Sequence, residues 1–269
     1  FLAFAVGVSG LFAQVKNWDG SQGSDWEDGL NWVEGTKPVA SDNVTITNVG
    51  TQPMLTTQNT AALTSLTIAV GASLDLNGRN LDTGSLSNNG TIYAQGDETV
   101  TINGNSPPNT VDMATDTGTV IYTGAGPYAS LPFNTEYNDL QLNSTITFTT
   151  GGNTTLTING TLTLGDGAGD TITFTDGLTA TPAAAISVAG TVATTDNALS
   201  LGNLSTTAAT TIQTGGGTLA IGTVNGANQF DVDTTGGAGS GAITFNNTIG
   251  GTTHPTGSTF DSKAAIKLP

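Results

Sequence analysis

The chain has 269 residues, enough for one large domain or two ordinary ones with a sizeable core. Its formal net charge is −16, and its five Lys and Arg residues are too few to build the basic patch that nucleic acids or anionic membrane surfaces require. No cysteine is present, which excludes a disulfide framework and thiolate chemistry.

Residues 1–16 begin with fourteen uncharged residues, FLAFAVGVSGLFAQ. This segment resembles the apolar stretch of a secretory signal, with Ala13 as the last residue before cleavage, and it is too short to span a bilayer. Phe4–Ser9 also alternates large and small side chains, as does a strand that inserts one face into the groove of a neighbouring subunit. We expect an exported protein and leave both uses of the segment open.

Residues 17–62 contain all three tryptophans, Trp18, Trp26 and Trp32, among six acidic side chains. Repeat proteins need terminal caps, because an open end exposes both the core and a strand edge. We therefore interpret this segment as an N-terminal cap. The alternative is that the three indoles form a carbohydrate-binding platform.

Residues 63–269 form a long series of short runs that alternate apolar and polar side chains and end in Gly, Asn or Asp. Period-2 alternation between turn residues is the strand signature, and the recurrence predicts stacked repeats. We predict an all-β fold, a β-solenoid (parallel β-helix) that continues beyond the given C-terminus. Asn-Gly pairs keep a tandem β-sandwich of antiparallel hairpins as the alternative.

The pattern WDG-x(4)-SDW-x(4)-NW, the stretch EYNDLQLNSTITF and the later TIQTGGGTLAIGTVNG resemble parts of large bacterial cell-surface proteins, including filamentous-haemagglutinin-like adhesins. The resemblance covers most of residues 17–250. It implies secretion, a cell-surface or extracellular location and an adhesive or structural role. It implies no catalytic residues.

Catalytic candidates are sparse in the sequence. The single histidine, His254, lies in a loop-like stretch, and no G-x-S-x-G motif occurs. The enzymatic rival is a polysaccharide-acting β-helix enzyme, which would depend on carboxylate pairs such as Asp112 with Asp116 or Asp97 with Glu98. Nothing around these pairs distinguishes them from solvated loop acids, so we predict no enzyme.

The stretch GDGAGDTIT at residues 165–173 approaches the calcium-binding nonapeptide G-G-x-G-x-D-x-U-x. Asp166 and Asp170 are therefore candidate calcium ligands. The alternative is a Gly-rich corner with no ion. No other cofactor is predicted.

Together these features predict a secreted, non-catalytic structural or adhesive fibre protein. A self-polymerising filament subunit that donates a strand to its neighbour is the alternative. Expected partners are copies of the chain itself and host or matrix glycans, with no nucleic acid and no membrane span.

Overall fold

A computed structural model describes residues 13–93, 98–102, 119–123, 136–149, 154–182, 184–239, 241–250, 253, 255–262 and 264–269. Its strands are β1 (Val15–Trp18), β2 (Asn43–Ile46), β3 (Leu63–Ile68), β4 (Ser73–Asp75), β5 (Leu81–Asn88), β6 (Thr91–Tyr93), β7 (Thr99–Ile102), β8 (Thr119–Tyr122), β9 (Glu136–Tyr137), β10 (Asp139–Leu142), β11 (Thr145–Phe148), β12 (Thr154–Ile158), β13 (Leu162–Leu164), β14 (Thr171–Phe174), β15 (Leu178–Ala180), β16 (Ile186–Thr194), β17 (Leu199–Leu201), β18 (Leu204–Gln213), β19 (Leu219–Ile221), β20 (Val224–Asn225), β21 (Phe230–Asp233), β22 (Ile243–Phe245), β23 (Phe260–Asp261) and β24 (Ile266–Lys267). One 3-10 turn, Gly29–Asn31, lies between β1 and β2.

The strands stack in parallel, so the β-solenoid prediction is confirmed. One path of twelve strands runs through the largest sheet in the order β1-β2-β3-β5-β7-β8-β10-β13-β16-β18-β21-β23. At about 4.8 Å between neighbours, this path is about 50 Å long. The sandwich alternative is wrong, because a sandwich is built from antiparallel ladders and every pair of named strands here is parallel. The first strand, β1, crosses the boundary at residues 16 and 17 between the signal-like segment and the cap, and β2 lies within the cap segment.

From β10 onward the coils contribute strands to three ladders. The first ladder contains β10, β13, the first parts of β16 and β18, and β20. The second contains β11, β14, the second parts of β16 and β18, β21 and β23. The third contains β9, β12, β15, β17, β19, β22 and β24. The coils in this half are therefore three-sided.

Alternation along each strand divides its side chains between the interior and the surface. In the second ladder, Ile172, Val192 and Ile212 are cross-strand partners and are fully buried. Their neighbours Thr171 and Thr191 are partners on the outward face. Burying one such aliphatic side chain contributes roughly 1.5–3 kcal/mol, so the stacked apolar columns provide the main favourable term.

Two glycines make the corner between the first and second ladders possible. Gly165 and Gly190 have φ values of +79° and +69°. A Cβ on Gly165 would collide with the carbonyl oxygen of Ala189, and one on Gly190 with that of Asp170. Only glycine satisfies both the left-handed backbone and this close approach between coils.

A second corner is held from the inside by threonine. Thr194 and Thr214 point into the core and donate their hydroxyls to the carbonyl oxygens three residues later, of Asn197 and Gly217, at 2.6 Å. Thr234 makes the corresponding bond to Gly241 at 2.8 Å. These buried hydroxyls therefore have partners that belong to their own coil.

Candidate functional site

The three tryptophans form one cluster at the start of the stack. Trp32 lies between the other two, with ring centroids 5.1 Å from Trp18 and 4.8 Å from Trp26, both edge-to-face. The Trp32 indole N–H donates to the Trp26 carbonyl and that of Trp18 to the Thr51 carbonyl, at 2.9 and 2.8 Å. All three side chains are at most 3% exposed. These indoles do not offer the exposed ring face that stacking on a sugar requires, and they pack as core residues.

The segment that carries Trp32 covers the outer edge of β1. Asp19 N donates to Asn31 O at 3.0 Å, and Val33 N donates to Asn17 O at 2.9 Å, an antiparallel contact centred on Trp18 and Trp32. This part of the edge is therefore already paired and is a poor template for another strand.

The side chain of Glu34 also makes hydrogen bonds to the outer edge of β1. Its carboxylate accepts the backbone N–H of Asn17 at 2.9 Å and the Asn17 side-chain amide at 2.8 Å. Partial burial would raise the pKa of Glu34, but these two bonds outweigh it and hold the pKa below its ordinary value. The ionised carboxylate thus takes the place of a neighbouring strand's carbonyl.

A second part of the segment forms the first level of another ladder. Trp26 N donates to Met54 O at 3.0 Å, and Met54 N donates to Ser24 O at 2.7 Å. Close to this pairing, the hydroxyl oxygen of Thr56 lies 2.7 Å from Asp25 Oδ1 and 2.6 Å from Glu27 Oε2. The hydrogen bond from Thr56 is the largest influence on Asp25 and lowers its pKa below the ordinary value.

A cavity of about 190 Å³ opens beside this junction; we call it the cap cavity, and its lining is Trp26, Glu27, Lys37, Pro38, Val39, Ala40, Gln58, Asn59 and Ala61. Within the described part of the chain, the Lys37 ammonium and the Gln58 side-chain amide make no hydrogen bond or ion pair. The cavity therefore combines one carboxylate, one ammonium and two amides with an apolar wall.

The structure brings the two candidate calcium ligands together at the corner before β14. Asp170 Oδ1 accepts the N–H of Ser144 at 2.9 Å, and Asp170 Oδ2 accepts the N–H groups of Asp166 and Gly167 at 2.8 and 3.0 Å. Asp166 Oδ2 accepts from the Asn143 amide. These bonds hold the corner without an ion, so calcium would have to compete with three backbone donors for Asp170.

The pKa of Asp166 is raised above its ordinary value. Desolvation is the largest cause, and the adjacent Asp170 charge acts in the same direction. Across the described residues, no group of three or more carboxylate or histidine side chains is arranged to hold a metal ion. Calcium binding by Asp166 and Asp170 stays a prediction.

Several sequence candidates lie outside the described residues. They are the strand-like segment Phe4–Ser9, His254, and the acids Asp97, Asp112 and Asp116. Glu98 is described; it is 1% exposed and accepts the backbone N–H of Gly78 at 2.7 Å, a bond between coils. Among the residues that the structure covers, no helix is long and apolar enough to cross a membrane.

The cap cavity was missed by the sequence reasoning. Glu27 and Gln58 are 31 residues apart, and they meet because the coil returns to the same place one turn later. No local motif marks either residue, and only the Trp-rich composition of residues 17–62 pointed to this end of the chain.

No protein-family model, curated protein or solved structure matches this chain.

Proposed function

We propose that the chain is an exported structural and adhesive fibre protein of a bacterial cell surface or extracellular matrix, without catalytic activity. One observation carries the proposal. An apolar interior continues through the stacked coils, while the outward columns present mainly hydroxyl and amide side chains. In the first ladder the outward partners are Gln141, Thr163, Ser187, Ser205 and Asn225.

Such a stack suits a mechanical task. Hydrogen bonds between parallel strands run along the long axis, and each coil packs on the next, so the assembly forms a stiff rod. The outward hydroxyls and amides offer many weak hydrogen bonds to a polar surface such as a glycan, and the strong net negative charge keeps separate rods soluble.

The self-polymerising alternative has less support at the β1 end. Backbone groups of residues 31–33, together with the Glu34 carboxylate, already occupy the outer edge of β1 at Asn17–Asp19. Strand addition at this part of the edge would first have to displace them.

The test is adhesion by the purified chain. Beads coated with the protein are expected to attach to glycan-coated or matrix-coated surfaces, and free protein in solution should compete with the attachment. Cell fractionation of the source should place the chain outside the cytoplasm. Beads that attach no better than albumin-coated beads, together with protein confined to the cytoplasm, would refute the proposal.

A further inference from the structure

We propose that the cap cavity binds a single neutral sugar ring, such as the terminal residue of a glycan. The inference rests on the adhesive function proposed above and names its ligand class. It assigns sugar binding to Glu27, Lys37, Gln58 and Asn59 instead of the three buried indoles, on the grounds of hydrogen-bond balance, shape and charge.

Glu27 shares its one strong hydrogen-bond donor with Asp25. Thr56 has one hydroxyl proton, yet its oxygen lies 2.7 Å from Asp25 Oδ1 and 2.6 Å from Glu27 Oε2, so it can donate to only one of them. Beyond this shared hydroxyl, Glu27 accepts only two longer backbone bonds of 3.2 Å, from Thr56 N to Oε2 and from Gln58 N to Oε1. A hydroxyl from a ligand would supply the missing donor.

The opposite side of the cavity supplies donors. The Lys37 ammonium and the Gln58 amide have no hydrogen-bond partner within the described residues. Asn59 uses its side-chain oxygen to accept the N–H of Asn80 at 2.9 Å, which fixes the amide in place. A ligand that fits this set carries both donors and acceptors around one ring, as a polyol does.

The apolar wall of the cavity can pack against the C–H groups of a sugar ring. Pro38, Ala40 and Ala61 line it, and Val39 lies beside them with 54% of its surface exposed. Exposed valine at a polar cavity gains free energy when an apolar ligand face covers it. Simple inorganic ions offer no such face.

Size and charge restrict the ligand further. A volume of about 190 Å³ is below the range of roughly 300–1,000 Å³ typical for drug-sized ligands, so one ring fits and a chain would extend outside. In the cavity the Lys37 ammonium is offset by the Glu27 carboxylate, and the whole protein carries a net charge of −16, so an anionic sugar would meet net repulsion. A neutral sugar avoids this repulsion.

The binding experiment uses the intrinsic fluorescence of the whole chain. All three tryptophans lie in the cap, and Trp26 borders the cavity, so occupancy should change the emission. Neutral methyl glycosides of glucose, galactose, mannose and N-acetylglucosamine are titrated and checked by saturation-transfer NMR. We expect at least one to saturate with a Kd of about 1 mM, as low ligand efficiency gives for about a dozen non-hydrogen atoms. No saturation by any of them up to 50-fold above that concentration, on the order of 50 mM, would overturn the proposal.

Three variants locate the site. Glu27→Gln, Lys37→Ala and Gln58→Ala should each weaken binding about two- to twelvefold, the value of one hydrogen bond. Lys267→Ala and Gln213→Ala remove the same side-chain types elsewhere and should leave the Kd unchanged. Saturable binding that all three site variants preserve would contradict the site, as would a fluorescence change produced by Ca²⁺ and not by sugar. Thermal melts of each variant show whether the cap remains folded.

Bead adhesion separates this inference from the proposed function. If wild-type beads adhere while no sugar binds, the cap-cavity proposal fails and the adhesive function stands. If wild-type beads do not adhere, the adhesive part of the proposed function fails, whatever the titration shows.

Discussion

Lys16 is the cross-strand partner of Val44 and occupies the same inward column as Val44, Leu66 and Leu86. Its side chain is 2% exposed. The ammonium donates to Gln14 Oε1 at 2.9 Å and to Thr36 Oγ1 at 2.6 Å, both of them neutral acceptors on exposed residues. The first coil therefore buries a positive charge at a position where the following coils place an aliphatic side chain.

Replacing this lysine should stabilise the protein. Lys16→Met keeps the length of the stem and removes the buried charge, and the two exposed acceptors can turn to water. We expect the free energy of unfolding to rise by about 1–2 kcal/mol, measured by urea denaturation. Lys267→Met, on an exposed residue of the last described coil, should change nothing; a loss of stability in Lys16→Met would show that the charge is needed.

The stacked ring pair inside the coils should be a large contributor to stability. Phe148 and Phe174 are fully buried and stack at 5.3 Å with an interplanar angle of 14°. Phe174→Ala leaves a cavity between coils and should cost about 3–5 kcal/mol, whereas Thr173→Ala, its outward neighbour, should stay within about 0.5 kcal/mol. Equal losses in urea denaturation for both variants would place Phe174 outside the core.

The inward threonine hydroxyls should matter more than their methyl groups. Thr214 is fully buried, and Thr214→Val keeps the shape while leaving the Gly217 carbonyl without this donor. We expect a loss of about 1–3 kcal/mol. Thr211→Val, on the outward face of β18, is the matched control and should be nearly neutral. If the two variants melt at the same temperature, the corner bond contributes nothing.

Glu34 should make the stability of the cap depend on pH. Its pKa is lowered in the folded chain, so the stabilisation is complete above its ordinary pKa and is lost as pH falls through the lowered folded value. Glu34→Gln should remove this acid-side loss from the melting-temperature profile recorded by Trp fluorescence. Asp261→Asn removes one exposed carboxylate as a charge control. A profile identical in wild type and Glu34→Gln would contradict the role of the Asn17 bonds.

Asp166 should make the stability depend on pH in the opposite direction to Glu34. Its pKa is raised in the folded chain, so the fold binds the proton more tightly than the unfolded chain and loses stability as pH rises between the ordinary and the raised values. Asp166→Asn should remove that loss and raise the melting temperature at pH 7.

The same corner offers a contrasting variant. Asp170→Asn disturbs three backbone donors and should cost about 1–3 kcal/mol in urea denaturation at pH 7. If calcium binds here, added Ca²⁺ should raise the melting temperature of the wild type more than that of Asp170→Asn. For the Asp166 variant, a lower melting temperature of Asp166→Asn than of the wild type at pH 7 would contradict the raised pKa of Asp166.

Much of the fold follows from local pattern. The alternation in DTITFTDG predicts β14 (Thr171–Phe174) and its inward Ile172 and Phe174, because side chains in a strand point to opposite faces. Gly165 also marks a corner locally, because glycine readily adopts a positive φ. Its φ is positive in the structure. Parallel stacking followed from the recurrence of such runs over the chain.

The cap could not be predicted in the same way. The sequence groups Trp18, Trp26 and Trp32 in one segment, but it does not show that a turn returns Trp32 to Trp18 as an antiparallel partner. Inward threonines such as Thr214 also escape a polarity pattern, which assigns hydroxyls to the surface. Both depend on contacts between residues that the stacking brings together, and alternation along one strand does not report them.

The recurrence of Thr194, Thr214 and Thr234 at intervals of 20 residues has a consequence for the size of the molecule. Because each of these corners is closed by a bond within its own coil, removal of residues 195–214 would join Thr194 to the glycines that now follow Thr214 and leave an equivalent corner. Length along the axis can then change in whole coils of about 4.8 Å. Insertion or deletion of 20 residues at this corner is therefore a length change that keeps the inward side chains in their columns.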